Sequence, residues 1–225
     1  MGHSDATAVV DAVGMTFLLR LILPDRPGML GAVATALGRV GADIVSLDVV
    51  ERGPDGAVDD LLVQLPPGGL ADVLITSACS VEGVVVESLR PYLGADDLHR
   101  DLELVDELAA APADALRTLV DLGPGVFRAG WAVLLAGTDV LAASAGAPET
   151  ADLRLPPTGA ARRVDATETW VPERWRQLGL ELVVAPVGGP HRVVLVGRPG
   201  GPRFRASEVA RLAHLAGLVA TVLAG

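Results

Sequence analysis

Two short segments carry residue types that could bind a small charged molecule: Asp25-Arg26-Pro27-Gly28-Met29-Leu30 and Gly41-Ala42-Asp43-Ile44. Gly28 has no side chain, so a ligand can come close to the backbone there. A helix starting beside it leaves the N–H groups of Gly28, Met29 and Leu30 without intrahelical acceptors, at the positive end of the helix dipole. Such a seat prefers an anion, and the α-carboxylate of a free amino acid fits it. Asp25 before the helix or Asp43 after it could hold the α-ammonium by a charge-assisted hydrogen bond. An aspartate at 43 cannot donate as an amide would, so it repels a carboxylate, accepts only the ammonium end, or is simply solvated. An Asp and a Pro at this point are also ordinary helix-start signals, and they equally describe a helix that binds nothing.

The elements that must position these residues follow from the surrounding pattern. Residues 17–23, FLLRLIL, form a nearly continuous apolar run and read as a covered strand. Pro27 suits the first helical position; Met29, Leu30, Val33, Leu37 and Val40 then recur at helical spacing, and Gly41 closes the helix. A second strand over 43–52, a turn at Gly53-Pro54-Asp55-Gly56 and a third strand over 57–65 make a hairpin. After Pro66-Pro67-Gly68-Gly69 come a short helix over 70–80 and a fourth strand over 84–90. The order βαββαβ implies a ferredoxin-like split βαβ, an antiparallel sheet with both helices on one face. Leu18, Ile22 or Val50 on the open face would then need a partner.

LPDRPGML at 23–30, Gly41-Ala42-Asp43-Ile44 and the element order together resemble an ACT domain over residues 16–92. The second segment departs from the commoner Asn-Ile. The resemblance implies a regulatory module that binds a free amino acid as a homodimer, the ligand lying between one subunit's Asp25, Arg26, Pro27, Gly28, Met29 and Leu30 and its mate's Gly41, Ala42, Asp43 and Ile44. A regulated enzyme or a transcription regulator is the implied downstream partner.

Residues 1–15 read as a tail, 91–97 as a linker and 93–225 as a second domain. Helices are expected over 101–110 and 112–122, and strands over 131–135, 140–144, 180–187 and 192–197. Residues 146–166, rich in Pro, Gly, Ala and Arg, carry no periodicity. A closing helix over 207–223, capped by Ser207, has Val209, Leu212, Ala216, Val219 and Leu223 along one stripe. That stripe could pair with the helix near Asp101 or with its copy in a second subunit. Pro186, Gly188-Gly189, VVLVG and Pro202-Arg203-Phe204, followed by this helix, resemble the end of a GAF domain. The fold class is therefore α+β: a ferredoxin-like ACT domain followed by a compact GAF-like α+β domain. Trp131, Trp170 and Trp175 are read as packing residues rather than a pocket lining.

Bulk properties narrow the function. The 225 residues suffice for two small domains, and the 50% hydrophobic content fits folded cores. The net charge of −10, with all 18 basic residues arginine and scattered, argues against a nucleic-acid partner. Cys79 is alone, which excludes an intramolecular disulfide; it reads as a small core residue in a reducing, cytoplasmic protein. The sequence lacks both a signal peptide and an apolar run long enough to cross a bilayer, so no membrane association is expected. There is no lysine for a Schiff base and no nucleophile or metal motif, and His3, His99, His191 and His214 are dispersed. No catalytic residue, metal or cofactor is assigned, and the chain is not expected to be an enzyme. A hidden site could draw only on Asp152, Arg154, Arg162, Arg163 and Asp165 of the 146–166 loop. The expected function is an amino-acid-binding regulatory sensor; the alternative is a ligand-free dimerisation or scaffold protein on the same modules.

Overall fold

The computed structural model describes residues 15–54, 56–92, 100–150 and 153–224. The chain divides into two compact units, residues 1–95 and 96–225. The tail and most of the linker expected from the sequence lie outside the described residues.

In the first unit the elements are β1 (Thr16–Leu23), α1 (Met29–Gly38), β2 (Asp43–Gly53), β3 (Gly56–Gln64), α2 (Asp72–Cys79) and β4 (Val85–Pro91). They form one antiparallel sheet in the order β2-β3-β1-β4, the split βαβ connection that the element order implies. Strand alternation sends Leu19, Leu21 and Leu23 of β1, with Ala57 and Leu61 of β3, to one face. There they pack with Met29, Val33 and Leu37 of α1 and Leu74 and Ala78 of α2.

On the opposite face Arg20 and Asp60 stand across from each other. Their two hydrogen bonds, Nε to Oδ1 at 2.6 Å and Nη2 to Oδ2 at 2.7 Å, make a bidentate pair, and both residues are 1% exposed. Leu18 and Leu62 are buried beside them, which corrects the expectation that Leu18 faces solvent; Ile22 and Val50 are half-buried. Periodicity tells which residues share a face, not whether that face is covered. Exposed apolar side chains occur instead on the edge strands, at Val45, Leu47 and Val49 of β2 and Val85 of β4. Cys79 is exposed at the end of α2, not a core residue, because the buried side of that helix is carried by Leu74 and Ala78.

The second unit contains α3 (Arg100–Ala110), a single 3-10 turn (Pro112–Asp114), α4 (Ala115–Val126), β5 (Trp131–Ala136), β6 (Asp139–Ala143), β7 (Arg162–Val164), α5 (Glu173–Gln177), β8 (Leu180–Pro186), β9 (Arg192–Pro199) and α6 (Ala206–Val222). Its antiparallel sheet runs β6-β5-β9-β8-β7. One face packs against Leu104, Leu119 and Leu215 of α3, α4 and α6. The other is covered by Leu153, Val164, Val171 and Trp175. The segment without periodicity thus contains β7 and leads to α5; it covers the sheet with scattered single residues, which leave no repeat to read. Helix α4 continues through Gly123-Pro124-Gly125, past its expected end, because Gly123 and Val126 are buried in the same core as Leu119 and Val120.

Helix α6 begins at Ala206 and is not capped by Ser207. The Glu208 carboxylate accepts the Arg205 backbone N–H at 2.8 Å and, through its other oxygen, Arg198 Nη2 at 2.6 Å. Arg198 also donates to Phe127 O at 2.6 Å and Pro202 O at 2.9 Å and lies 4.0 Å from the Phe204 ring centre. Of the α6 stripe, Leu212, Ala216 and Val219 are buried in the core of the unit and Val209 packs against it, while Leu223 is exposed.

The Arg20–Asp60 pair gives a direct test of the first unit. Asp60→Ala should lower unfolding free energy by about 3–5 kcal/mol, because it leaves a guanidinium buried without its carboxylate. Arg20→Met combined with Asp60→Leu should recover most of that loss, as read by urea denaturation.

Candidate functional site

Strand β1 ends at Leu23 and the chain reverses over residues 24–28 into α1. Arg26 N–H bonds Pro24 O at 2.8 Å, and Met29 N–H bonds Arg26 O at 3.4 Å. Pro27 and Gly28 are the central residues of that second turn. Gly28, at φ 89° and ψ −13°, has the left-handed geometry that the third position of a type II turn demands. Pro27 therefore pre-sets the turn and does not open the helix, a correction to its expected first helical position. A Cβ built on Gly28 would meet nothing within 4 Å, so the glycine is required by backbone angle and the space above it is open.

No side chain caps α1, and no acidic residue lies in its first turn. Its first intrahelical bond runs from Ala32 N–H to Gly28 O at 3.0 Å. With Met29 N–H turned back to Arg26, the donors of the first helical turn that remain are those of Leu30 and Gly31; Met29, expected among them, is not. Asp25, Arg26, Pro27 and Gly28 are exposed, Met29 is buried and Leu30 half-buried. Arg26 Nε lies 3.2 Å from Met29 Sδ.

At the other end of α1, Gly41 at φ 76° closes the helix. Gly41 N–H bonds Gly38 O at 3.0 Å and Ala42 N–H bonds Leu37 O at 3.2 Å, the paired bonds of a Schellman ending. Ala42 is buried, Asp43 exposed and Ile44 half-buried. With ten residues in α1, the two candidate segments sit about 15 Å apart along its axis within one chain. A single copy does not bring them together.

A carboxylate that the sequence reading passed over lies beneath this region. Asp59 stands opposite Leu21 of β1 and Val49 of β2, on the helix-covered face between Ala57 and Leu61. It is 4% exposed, and its Oδ1 is buried with no hydrogen-bond partner among the described residues. Burial pushes its carboxyl above the ordinary value; the charge of Arg52 opposes that rise, while Asp60, Asp25 and Asp48 add to it. Consecutive aspartates inside a strand were the readable signal, since alternation must send one of them to the core face.

A cavity of about 190 Å³ is lined by Leu135, Thr138, Arg154, Leu155, Pro190 and His191, below the roughly 300 Å³ at which small-molecule sites begin. Arg162 Nη1 and Nη2 donate to Glu168 at 2.6 and 2.9 Å, and Trp170 Nε1 and Asp165 N–H add bonds at 2.8 and 3.0 Å. The Arg162 bonds, aided by the Trp170 and Asp165 bonds, hold the Glu168 carboxyl down to about 2. Asp165 caps its own turn through Thr167. Trp131 and Trp175 are buried with ring centres 5.2 Å apart. Arg163, His191 and His214 are exposed, while His3, His99 and Asp152 lie outside the described residues. Among the described residues no cluster of His, Cys, Asp or Glu could hold a metal ion, and no helix is long and apolar enough to cross a membrane.

No protein-family model and no curated protein matches the sequence. Solved structures give faint likenesses. An uncharacterized protein from Thermotoga maritima is 18% identical over 34% of this chain and 94% of its own, at a TM-score of 0.28. An unknown protein from Galdieria sulphuraria is 11% identical over 92% of this chain and 91% of its own, at 0.33. The regulatory subunit of aspartate kinase from Thermus flavus is 12% identical over 96% of this chain and 99% of its own, at 0.30. Likenesses this faint carry no argument about what the chain does.

Asp59 should make the stability of the protein depend on pH. Its folded-state value is raised, so the folded protein binds that proton more tightly than the unfolded chain does. Stability should therefore fall as pH rises from the ordinary aspartate value through the raised one. Asp59→Asn removes this component, and the difference between the two proteins in chemical denaturation across the acid-to-neutral range should show it.

Proposed function

We propose that the chain is an amino-acid-responsive regulatory protein. In this reading residues 16–92 are an ACT-like sensor, and a free α-amino acid seats its carboxylate on Leu30 and Gly31 N–H at the start of α1. The observation that carries it is the bare, uncapped helix start beneath open space at Gly28. Two or three charge-assisted contacts, less the cost of immobilising a small ligand, place affinity at roughly micromolar to millimolar.

The site requires a homodimer. A mate's Gly41, Ala42, Asp43 and Ile44 would approach the Asp25 to Leu30 turn, since one chain's own copy of that loop is at the far end of α1. Edge strand β2, with Val45, Leu47 and Val49 exposed, is the surface along which a second copy would pair. The GAF-like second unit, with β9, Phe204 and α6 at its end, would receive the change and pass it to a regulated enzyme or transcription regulator in the cytoplasm. Ligand and downstream partner would then be coupled reciprocally. No catalytic step is assigned to the chain.

A panel of proteinogenic L-amino acids tests this by calorimetry and thermal denaturation. At least one should bind, and at about a hundredfold excess over Kd it should stabilise the protein by about 2.7 kcal/mol. Leu47→Arg should shift the protein from dimer to monomer in sedimentation and weaken binding with it. A panel that gives neither heat nor stabilisation at millimolar concentration refutes the sensor reading and leaves a ligand-free dimerisation module.

A further inference from the structure

We propose that Asp59 is the ammonium acceptor of this site: its Oδ1 takes the α-ammonium of the amino acid whose carboxylate rests on Leu30 and Gly31 N–H. The inference rests on the amino-acid-binding reading and names a residue that neither candidate segment contains.

Three observations meet here. Asp59 is 4% exposed, and its Oδ1 has no partner among the described residues. Leaving an ionised carboxylate in that state is costly, and a charged ligand group that completes it removes the cost. Its place in the fold is also specific. Leu23 pairs with Ala57 and Leu21 with Asp59, so the carboxylate lies two residues in from the strand end at which the chain turns into α1. Met29, the first residue of that helix, shares a core with Leu21 and Ala57 on either side of it. Finally, the exposed Asp25 lies close enough to disturb its charge.

The charges that act on Asp59 come from β2, β3 and the turn: Arg52, Asp60, Asp25 and Asp48. Asp60 is committed to Arg20 on the other face. Arg52 is exposed near the end of β2, and its charge acts on Asp59 without a hydrogen bond to Oδ1. A zwitterion thus finds amide hydrogens for one end and, for the other, a buried carboxylate oxygen with no hydrogen-bond partner among the described residues. This selects α-amino acids over simple carboxylic acids of the same shape.

Calorimetry on the full chain decides it, with L-alanine against propionate and L-valine against isovalerate as paired probes within the panel. The wild type should bind an amino acid and not its deaminated counterpart, and binding should weaken as pH falls and Asp59 takes up a proton. Asp59→Asn should weaken amino-acid binding about thirtyfold or more and abolish that pH dependence, with thermal stability at or above wild type. Asp59→Glu, which restores the charge, should restore the pH dependence. If the wild type binds and Asp59→Asn binds equally well with the same pH profile, the role of Asp59 is refuted and the helix-start site stands. If the wild type binds no amino acid at all, the sensor reading falls and this inference with it.

Discussion

Two adjacent aspartates in the middle of β3 set the terms for the first unit. A strand turns successive side chains to opposite faces, so Asp59 and Asp60 cannot share an environment. Asp60 is answered by a bidentate arginine, whose two bonds offset the loss of water around both charges. Asp59 is buried as deeply, yet its Oδ1 is unanswered. A fold tends to tolerate such a group where binding or switching makes use of it.

The start of α1 supplies the complementary half. A type II turn, enforced by Pro27 and by the left-handed backbone at Gly28, delivers the chain into the helix without spending a side chain on its amide hydrogens. No side chain caps α1, as none caps α2, α4 or α5. The start of α1 and Asp59 lie toward the same end of the unit, where β1 leads into α1. The second unit contrasts with this. Its sheet is covered on both faces, Arg198 ties α6 to the end of α4 and to Pro202, and Glu168 is saturated with donors.

Much of this architecture is legible in the sequence where local chemistry dictates it. The βαββαβ order follows from FLLRLIL, the Gly28 and Gly41 punctuation and the hairpin at 53–56, each set by backbone geometry. What escapes a single sequence depends on distant partners. Alternation identifies Leu18 as sharing a face with Arg20, but not that Leu18 and Leu62 on that face are buried. Helix α4 runs through Pro124 because buried neighbours outweigh one lost hydrogen bond. Residues 146–166 leave no period because residues such as Leu153 and Val164 pack on the sheet as isolated side chains. Met29 drops out of the expected seat because the Arg26 carbonyl, invisible in the sequence, claims its N–H.

An amino acid's carboxylate seated on the Leu30 and Gly31 N–H groups would be observed directly by nuclear magnetic resonance of the ¹⁵N-labelled protein. Titration with the amino acid that binds should move the Leu30 and Gly31 amide signals in a saturable manner, ahead of any signal from the second unit. Saturable shifts confined to residues around Arg154 and His191, with Leu30 and Gly31 unmoved, would contradict it.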